Sequence, residues 1–490
     1  MILAEIDRKS NELKEKILGM PDGEPLSGRV YYVSADGDDS NDGLTPETPW
    51  RTLDKVSDFD FSEGDTIRFR RGDTFRGFVK TRPSVRYCAY GEGEKPRFYG
   101  WKKNLADPDL WEIYDLNKNI WKLKEKILDC GTLVFNEGER HSRKLIPSFR
   151  GGRFCCRYDE NREFFVSEEM TENLDIFCNH DLYITVKPSK GEDFGIPALT
   201  WDTLGELYLR CDEGNPGEVF DSIEALTRRH MFFVGANENV TIENLCIKYV
   251  GTHAISASST RSLSVVGCEI GWIGGAIQHY FGTDPNYPEG RRGSVTRYGN
   301  GVEIYGSCDN YLVKNCYIYQ VYDAAITHQI TTNGKKFELK NIKYIGNLVE
   351  NCVYSIEYFL DQNAGDDGSI IENCEIAGNI LRLSGYGWGQ QRHNTHTPAH
   401  IKGWSYTNPA RNFTIRGNIF DRAAFRMIHT VAKNAESCPE MIGNTYIQNL
   451  GAPLGLYGSQ TEAVELVFDE NAKKTVRDTL GEKDAKVFIL

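Results

Sequence analysis

A pattern of apolar and polar positions recurs along the second half of the chain. Each copy has an apolar residue, then Asn or Gly, then Cys, Ile or Leu, and a second apolar run about eight to ten residues later. The copies are VTIENLCIKYVGTHAI, LSVVGCEIGWIGGAI, YLVKNCYIYQVYDAAI, KYIGNLVENCVYSI, EIAGNILRLSGYGW, FTIRGNIFDRAAFRMI and EMIGNTYIQNLGAPLGL. Because no such unit buries its apolar residues alone, the repeat predicts stacked coils around a shared interior.

The spacing of the repeat indicates the architecture. Its anchor positions are Cys246, Cys268, Cys316, Leu348, Ile380, Ile419 and Thr445. The first spacing is 22 residues, and we interpret the second, of 48, as two turns with an atypical turn between them. Later spacings of 32, 32, 39 and 26 indicate coils with loop insertions. The pattern predicts an all-β protein built as a right-handed parallel β-helix, and it lacks the Leu-x-Leu framework of a leucine-rich repeat.

The rest of the chain divides around this repeat. The stretch 104–222 has denser charge, several tryptophans and no coil pattern, so it predicts an inserted β-rich, sandwich-like domain. We expect an amphipathic helix within 1–24, the first coils over 25–103, the main β-helix over 223–461 and a closing strand and helix over 462–490.

The net charge and the cysteine content limit which binding partners and which cellular compartment we expect. The 490 residues carry a net charge of −13, which repels nucleic acid and anionic lipid. We therefore expect no nucleic-acid or membrane partner, whereas homo-oligomer formation stays open. The 13 cysteines form no C-x-x-C pair, and the first 20 residues have no apolar stretch typical of a signal peptide. Both features predict a cytoplasmic protein with reduced thiols.

Three blocks of sequence resemble a known superfamily. They are YYVSADGDDSNDGLTPETPWRTLDKVSDFDFSEGDTIRFRRGDTFRGFV, LYLRCDEGNPGEVFDSIEAL and RYGNGVEIYGSCDNYLVKNCYIYQVYDAAITHQ. They resemble bacterial pectate-lyase-like β-helix proteins, and most of all β-helix glycoside hydrolases such as the family 120 β-xylosidases. The resemblance implies a glycoside hydrolase with an inserted β-sandwich, exo-acting in the manner of a β-xylosidase, whose substrate is an oligosaccharide.

The coil register predicts a column of acidic side chains. We align the second strands on Ile255, Ile277, Val302, Ile326 and Ile356, which places Ser256, Gln278, Glu303, Thr327 and Glu357 together one position later. Since side chains alternate along a strand, this column points outward if the apolar one points inward. Glu303 and Glu357 are then two rungs apart, roughly 9–10 Å at the usual strand spacing, and Asp323 lies on the rung between them.

Glycoside hydrolysis uses two carboxyl groups across the scissile bond, one to donate a proton and one as nucleophile or base. We predict Asp323 and Glu357 as this pair, with Glu303 as a third member. Glu357 lies between apolar neighbours that favour its protonated form, so we assign it as acid/base and Asp323 as nucleophile or base.

Polar and aromatic residues near these acids are predicted to bind the sugar. The predicted substrate-binding residues are Arg297, Asn300, Tyr305, His328, Gln329, Tyr358, Asp361, Trp388, Arg392, His393 and His400. His393, His396 and His400 have the donor chemistry of a zinc site, but their spacing in a loop is weak support for one. We expect no metal and no other cofactor.

Two other functions remain open at this point. A polysaccharide lyase or uronate epimerase uses a basic residue to remove a proton next to a carboxylate, a role open to Arg297, Arg392 or Lys402. The acidic column weighs against that function. The second alternative is a non-catalytic carbohydrate-binding β-helix, which has no need of paired acids.

Overall fold

The computed structural model describes residues 2–145, 156–158, 164–166, 170–181, 200–280, 295–392, 397–405 and 407–490. Three long sheets, whose strands follow one another in turn around each coil, form the body of the protein. Almost all neighbouring strands within these sheets run parallel, so the chain is a right-handed parallel β-helix with an inserted β-rich domain. The predicted fold class is confirmed.

The first sheet runs the length of the β-helix. Its strands are Val30–Val33, Thr66–Arg70, Arg86–Tyr90, Thr241–Glu243, Thr260–Arg261, Ser264–Val266, Cys308–Lys314, Glu338–Ile345, Ile370–Ala377, Ala410–Arg416 and Glu440–Ile442.

The second sheet lies next in each coil. Its strands are Thr74–Arg76, Arg97–Tyr99, Cys130–Phe135, Arg140–His141, Ile223–Thr227, Cys246–Val250, Glu269–Ile273, Tyr317–Val321, Leu348–Glu350, Ile380–Ser384, Ile419–Ala423, Thr445–Gln448 and Lys486–Ile489.

The third sheet carries the predicted acids. Its strands are Val79–Lys80, Phe232–Gly235, Ile255–Ala257, Val302–Tyr305, Ala324–Thr331, Tyr354–Asp361, Ala399–Gly403, Arg426–Ala432, Pro453–Ser459 and Val464–Val467.

The inserted segment leaves the stack between two coils that touch each other. Arg97–Tyr99 pairs directly with Cys246–Val250, so the β-helix continues across the insertion. A five-stranded sheet of Arg143–Lys144, Asp175–Cys178, Leu207–Arg210, Ile120–Leu123 and Trp111–Asp115 forms the centre of the segment. Shorter pairs are Ile127–Leu128 with Leu204–Gly205, and Cys156–Tyr158 with Phe164–Val166.

Helices are few in the described part of the chain. The α-helices are Ile2–Leu18, Leu53–Asp58, Pro216–Val219 and Ala472–Thr479, and 3-10 turns occur at Pro108–Leu110, Leu116–Lys118, Asn136–Gly138, Asn179–Asp181, Trp388–Gln391 and Ala435–Ser437. The amino-terminal helix packs Ile17 against Tyr317, Leu348 and Ile380 on the outside of the second sheet. None of the helices that the structure describes is long and apolar enough to cross a membrane.

One part of the predicted spacing is wrong. Glu269–Ile273 pairs directly with Tyr317–Val321, so the 48-residue interval is a single coil and not two. The extra residues include an antiparallel hairpin, Ile277–Tyr280 with Val295–Arg297, that lies outside the three sheets. Ile277 and Gln278 therefore do not belong to the columns in which the sequence placed them.

A ladder of buried asparagines closes one corner of the interior. Asn347, Asn379, Asn418 and Asn444 are fully buried on successive coils. The side-chain N–H of each of the first three donates a hydrogen bond to the side-chain oxygen of the next. The ladder ends on Glu482 of the carboxyl-terminal segment, which accepts from the Asn444 side chain at 3.0 Å. These amides also bind backbone groups next to the turn, such as the Tyr344 carbonyl, which accepts from the Asn379 side chain at 2.9 Å.

Removing one rung of this ladder should destabilise the whole protein. Asn379→Ala leaves the Asn347 backbone N–H and the Tyr344 carbonyl buried without their partners, at an expected cost of about 2–4 kcal/mol in the free energy of unfolding. The control is Asn373→Gly in the exposed ladder of the same coil, where a φ of +55° suits glycine and the expected cost is below about 1 kcal/mol. Equal losses in denaturant unfolding would contradict this role of the buried ladder.

Candidate active site

The polar column on the third sheet has the predicted register. Val302, Ile326 and Ile356 pair in sequence along the interior, and Glu303, Thr327 and Glu357 pair one position later. Glu303 and Glu357 are therefore two rungs apart, with the strand that follows Asp323 between them. The next coils extend the column to Lys402 and then His429.

The acids of this column lie in a recess. Relative exposure is only 7% for Glu303, 4% for Asp323 and 6% for Glu357, although Glu303 and Glu357 alternate with residues of the interior. The column points outward as predicted, and its acids are buried because neighbouring side chains and loops pack over it. Because three carboxyls are buried close together, the protonation state of each depends on the charges of the other two.

Glu303 is held in place by side chains at the amino-terminal edge of the third sheet. The Asn300 side chain donates to Glu303 Oε2 and accepts from the Ala324 N–H at 2.9 Å, which ties Glu303 to the coil of Asp323. His253 Nδ1 lies 3.1 Å from Glu303 Oε2. Burial, together with the nearby charge of Asp323, outweighs the hydrogen bonds from Asn300 and Gln329 and raises the pKa of Glu303 to about 7.

Asp323 is paired with a cation from a distant loop. The Arg392 guanidinium forms an ion pair with Asp323 Oδ1, and both side chains are less than a tenth exposed. Trp388, one 3-10 turn earlier, packs against Tyr322 with ring centroids 4.9 Å apart and donates from Nε1 to the Gln320 carbonyl at 2.7 Å. This anchor places Arg392 on Asp323, and the ion pair favours the ionised form of the carboxyl.

Glu357 has the environment of a proton donor. Burial, followed by the charge of Asp323, raises the pKa of its carboxyl to about 8, although Arg392 and Lys402 act in the opposite direction. One carboxyl of the groove is thus held protonated at neutral pH, while its neighbour on the next rung is paired with arginine. That is the division of roles that acid and nucleophile, or acid and base, require.

A cationic cluster follows Glu357 along the column. Lys402 Nζ lies 2.6 Å from Thr397 Oγ1 and 2.7 Å from His429 Nδ1, and Arg426 Nη1 lies 2.9 Å from the same nitrogen. Burial lowers the pKa of Lys402 to about 8 in spite of the nearby Glu357 carboxyl. His429, buried beside two cations, has its pKa lowered to about 3 and is neutral.

Exposed aromatic side chains flank the acids. Tyr305, Phe359 and Trp404 form a surface beside the column, where the Phe359 and Trp404 ring centroids are 5.3 Å apart and Tyr305 and Trp404 are exposed by 42% and 53%. Phe233 and Trp201 lie at the other end of the groove and are about as exposed. Flat apolar surfaces next to hydrogen-bonding groups suit the faces of sugar rings.

The structure brings part of the predicted set together. Asn300 and Gln329 hold Glu303, Arg392 holds Asp323, and Tyr305 lies on the groove face. Asp361 lies further along the same strand as Glu357 and accepts from Ser405 Oγ at 3.0 Å.

Other predicted binding residues do not reach the groove. His328, Tyr358 and His400 point into the β-helix, where His328 bonds the Tyr344 hydroxyl at 2.8 Å and His400 bonds Ser355 at 3.1 Å. Strand alternation is the reason for His328 and Tyr358, since each follows an outward residue. His400 lies beside the inward Ile401 and packs against Phe420 of the interior, with ring centroids 5.9 Å apart. Trp388 serves as the anchor described above, and His393 lies outside the described residues.

Arg297 belongs to a separate buried cluster between the insertion and the β-helix. It contacts Asp129 at 3.3 Å, and Lys144 contacts the same carboxylate at 2.7 Å. Asp129, Cys178 and His180 offer ligand atoms within 4.8 Å of one another. The two cations already compensate the Asp129 charge, which places a metal ion at an electrostatic disadvantage there. Of the histidine trio of the sequence, His400 is fully buried, and His393 and His396 lie outside the described residues.

Comparison with known proteins gives distant likenesses. No protein-family model matches the chain. It is 31% identical over 124 residues to lacto-N-biosidase from Bifidobacterium longum subsp. longum, and the match spans 23% of this chain and 8% of that protein.

Solved structures are similar at a low level. XylC in complex with xylose has a TM-score of 0.40 at 12% identity, over 94% of this chain and 82% of that one. GH136 lacto-N-biosidase from Eubacterium ramulus has a TM-score of 0.38 at 10% identity, over 94% and 68%. The fold assignment rests on the strand register of the present chain.

The raised pKa values predict how stability depends on pH. The Glu357 carboxyl stays protonated to about pH 8 in the folded protein, whereas an ordinary glutamate ionises near 4.5. The folded state therefore binds more protons between these values, and stability falls as pH rises across this window, by up to about 1.4 kcal/mol per pH unit. Glu357→Gln cannot ionise, so we expect its thermal midpoint to fall less from pH 5 to pH 8.

The control for this experiment is Glu350→Gln, which changes the same group in the same coil on the second sheet, where Glu350 contacts Arg382 at 3.3 Å. It should retain the wild-type pH dependence. Parallel wild-type and Glu357→Gln curves would show that the Glu357 carboxyl is not held protonated.

Proposed function

We propose that this protein is a glycoside hydrolase in which Glu357 and Asp323 form the carboxylate pair. The observation that supports it best is the contrast between two acids one coil apart in one recess. One is buried and protonated, and the other is paired with Arg392. A protonated carboxyl can donate to the departing glycosidic oxygen while an ionised one attacks the sugar or activates water.

Each residue of the groove then has a defined task. Glu357 donates its proton to the leaving-group oxygen. Where Asp323 is the nucleophile, the Glu357 carboxylate afterwards takes a proton from the incoming water, and where Asp323 is the base, Asp323 takes that proton. Asp323 stabilises the positive charge that develops on the sugar ring, as nucleophile or as base, and Arg392 orients it. Glu303, fixed by Asn300, is near enough to Asp323 for its charge to matter and binds a sugar hydroxyl in this scheme.

The finer specificity is part of the proposal. The sequence resemblance favours an exo-acting, β-xylosidase-like enzyme on oligosaccharides, and aryl β-xylosides are the first substrates to assay. The exposed Tyr305 and Trp404, with the half-buried Phe359 packed against Trp404, give the groove surfaces for more than one sugar ring.

A polysaccharide lyase is the second candidate, and one observation favours it. Lys402 is a buried amine with a pKa lowered to about 8, next to Glu357 and near Arg392, and such an amine can act as a base. The two reactions differ in their products, because a lyase leaves an unsaturated uronate that absorbs ultraviolet light and a hydrolase does not.

Substitution of the pair should abolish turnover without unfolding the protein. Asp323→Asn and Glu357→Gln are each expected to lower kcat by about a thousandfold or more, because each removes a group that makes or breaks a bond. The assay is sugar release from aryl glycosides and oligosaccharides, run beside an ultraviolet scan for unsaturated uronate. Glu350→Gln, in the same coil as Glu357 but on the second sheet, is the control and should keep wild-type activity.

Further readouts separate the roles of the two acids. Activity should fall as pH rises through about 8, where Glu357 loses its proton. If the enzyme retains configuration, azide should rescue the two variants with glycosyl azides of opposite anomeric form. Near-wild-type turnover in both variants would refute the pair, and unsaturated product that depends on Lys402 would identify a lyase.

A further inference from the structure

Two cationic side chains converge on one neutral nitrogen at the end of the acid column. Lys402 Nζ and Arg426 Nη1 lie 2.7 and 2.9 Å from His429 Nδ1, so the two cations are close neighbours. His429 does not compensate them, because burial beside the two cations lowers the pKa of its imidazole to about 3. Like charges at such a distance repel one another unless an anion lies between them.

The available carboxylates only partly offset this charge. Arg426 forms an ion pair with Glu465, whose side chain is 57% exposed, and Arg392 is committed to Asp323. Among the described residues, no carboxylate oxygen lies within 4.0 Å of Lys402 Nζ, although Lys402 is only 3% exposed. Its nearest acidic neighbour is Glu357, which is itself protonated at neutral pH. Thr397 Oγ1 and His429 Nδ1 take two of the three N–H groups of this ammonium, which leaves one to donate to an anion.

The cluster of Lys402, Arg426 and His429 lies next to the proton donor of the proposed reaction, and so next to the bond that is cut. Lys402 pairs with Glu357, and His429 pairs with Lys402, in unbroken register. The ammonium therefore lies one strand spacing, about 4.8 Å, from the coil of the proton donor. This is the scale of a sugar ring, so a substituent on the residue bound beside the cleaved bond reaches the cluster.

We propose that the groove beside Glu357 binds an acidic sugar residue, whose anionic group is held by Lys402 and Arg426. The inference rests on the proposed glycosidase function and names its substrate class as oligosaccharides that carry a uronate carboxylate or a sulfate ester. A carboxylate or sulfate accepts hydrogen bonds from both cations and removes the repulsion between them. The net charge of −13 disfavours a densely charged polymer, which leaves short or sparsely substituted acidic chains.

Binding, measured apart from turnover, tests this inference. The protein is Glu357→Gln at pH 7, in which the glutamine replaces a carboxyl that is protonated at that pH. Calorimetry compares xylo-oligosaccharides with and without glucuronate, galacturonate oligomers with galactose oligomers, and one sulfated neutral oligosaccharide. We expect at least one acidic sugar to bind about tenfold or more tightly than its neutral counterpart, and the sulfated arm separates the two sources of charge.

Matched substitutions locate the effect. Arg426→Gln and Lys402→Met should each remove most of the preference for the acidic sugar. Arg416→Gln, which removes the same charge from an exposed ion pair with Glu375 on the first sheet, should retain it. Equal affinity for acidic and neutral sugars, an acidic preference that survives both substitutions, or no binding by any sugar would overturn the inference. If acidic sugars bind as expected and none is cleaved by the wild type, the glycosidase proposal alone fails.

Discussion

Register between successive coils is the constraint on which the rest of this structure depends. In the third sheet, Val302, Ile326, Ile356 and Ile401 form one continuous inward column. The polar column one position later follows from strand alternation alone. A shift of one coil by a single residue would move Glu357 into the apolar interior and an isoleucine into the groove, so core packing and the candidate site are fixed by the same contacts.

Much of this could be predicted from the sequence, and the failures have identifiable causes. The column of Glu303, Thr327 and Glu357 was predictable because its apolar neighbours recur with little interruption. Gln278 was misplaced because Ile277 has the local pattern of a coil strand, and pattern alone does not distinguish it from a hairpin of the same composition.

Other site residues show that residue type alone does not predict which side chains reach the groove. The alternation that directs Thr327 and Glu357 outward also directs His328 and Tyr358 inward. The sequence therefore indicated that these two side chains face the interior, but they were predicted to bind sugar because histidine and tyrosine are suited to it. Extending the same register by two coils finds Lys402 and His429. Arg392 and Asp323 are 69 residues apart in the sequence, and their contact could not be predicted, because it depends on how Trp388 packs against the coil of that acid.

The inserted segment has a consequence for synthesis of the chain. Arg86 pairs with Thr241, and its guanidinium binds Glu243, which is 157 residues later in the sequence. The strand Arg86–Tyr90 therefore has an open edge until the ribosome has made the whole insertion and the next coil. At ordinary elongation rates of about 5–20 residues per second this interval is about 8 to 30 seconds. In a growing cell, the first hundred residues are thus the part of the nascent polypeptide that a chaperone has the longest time to shield.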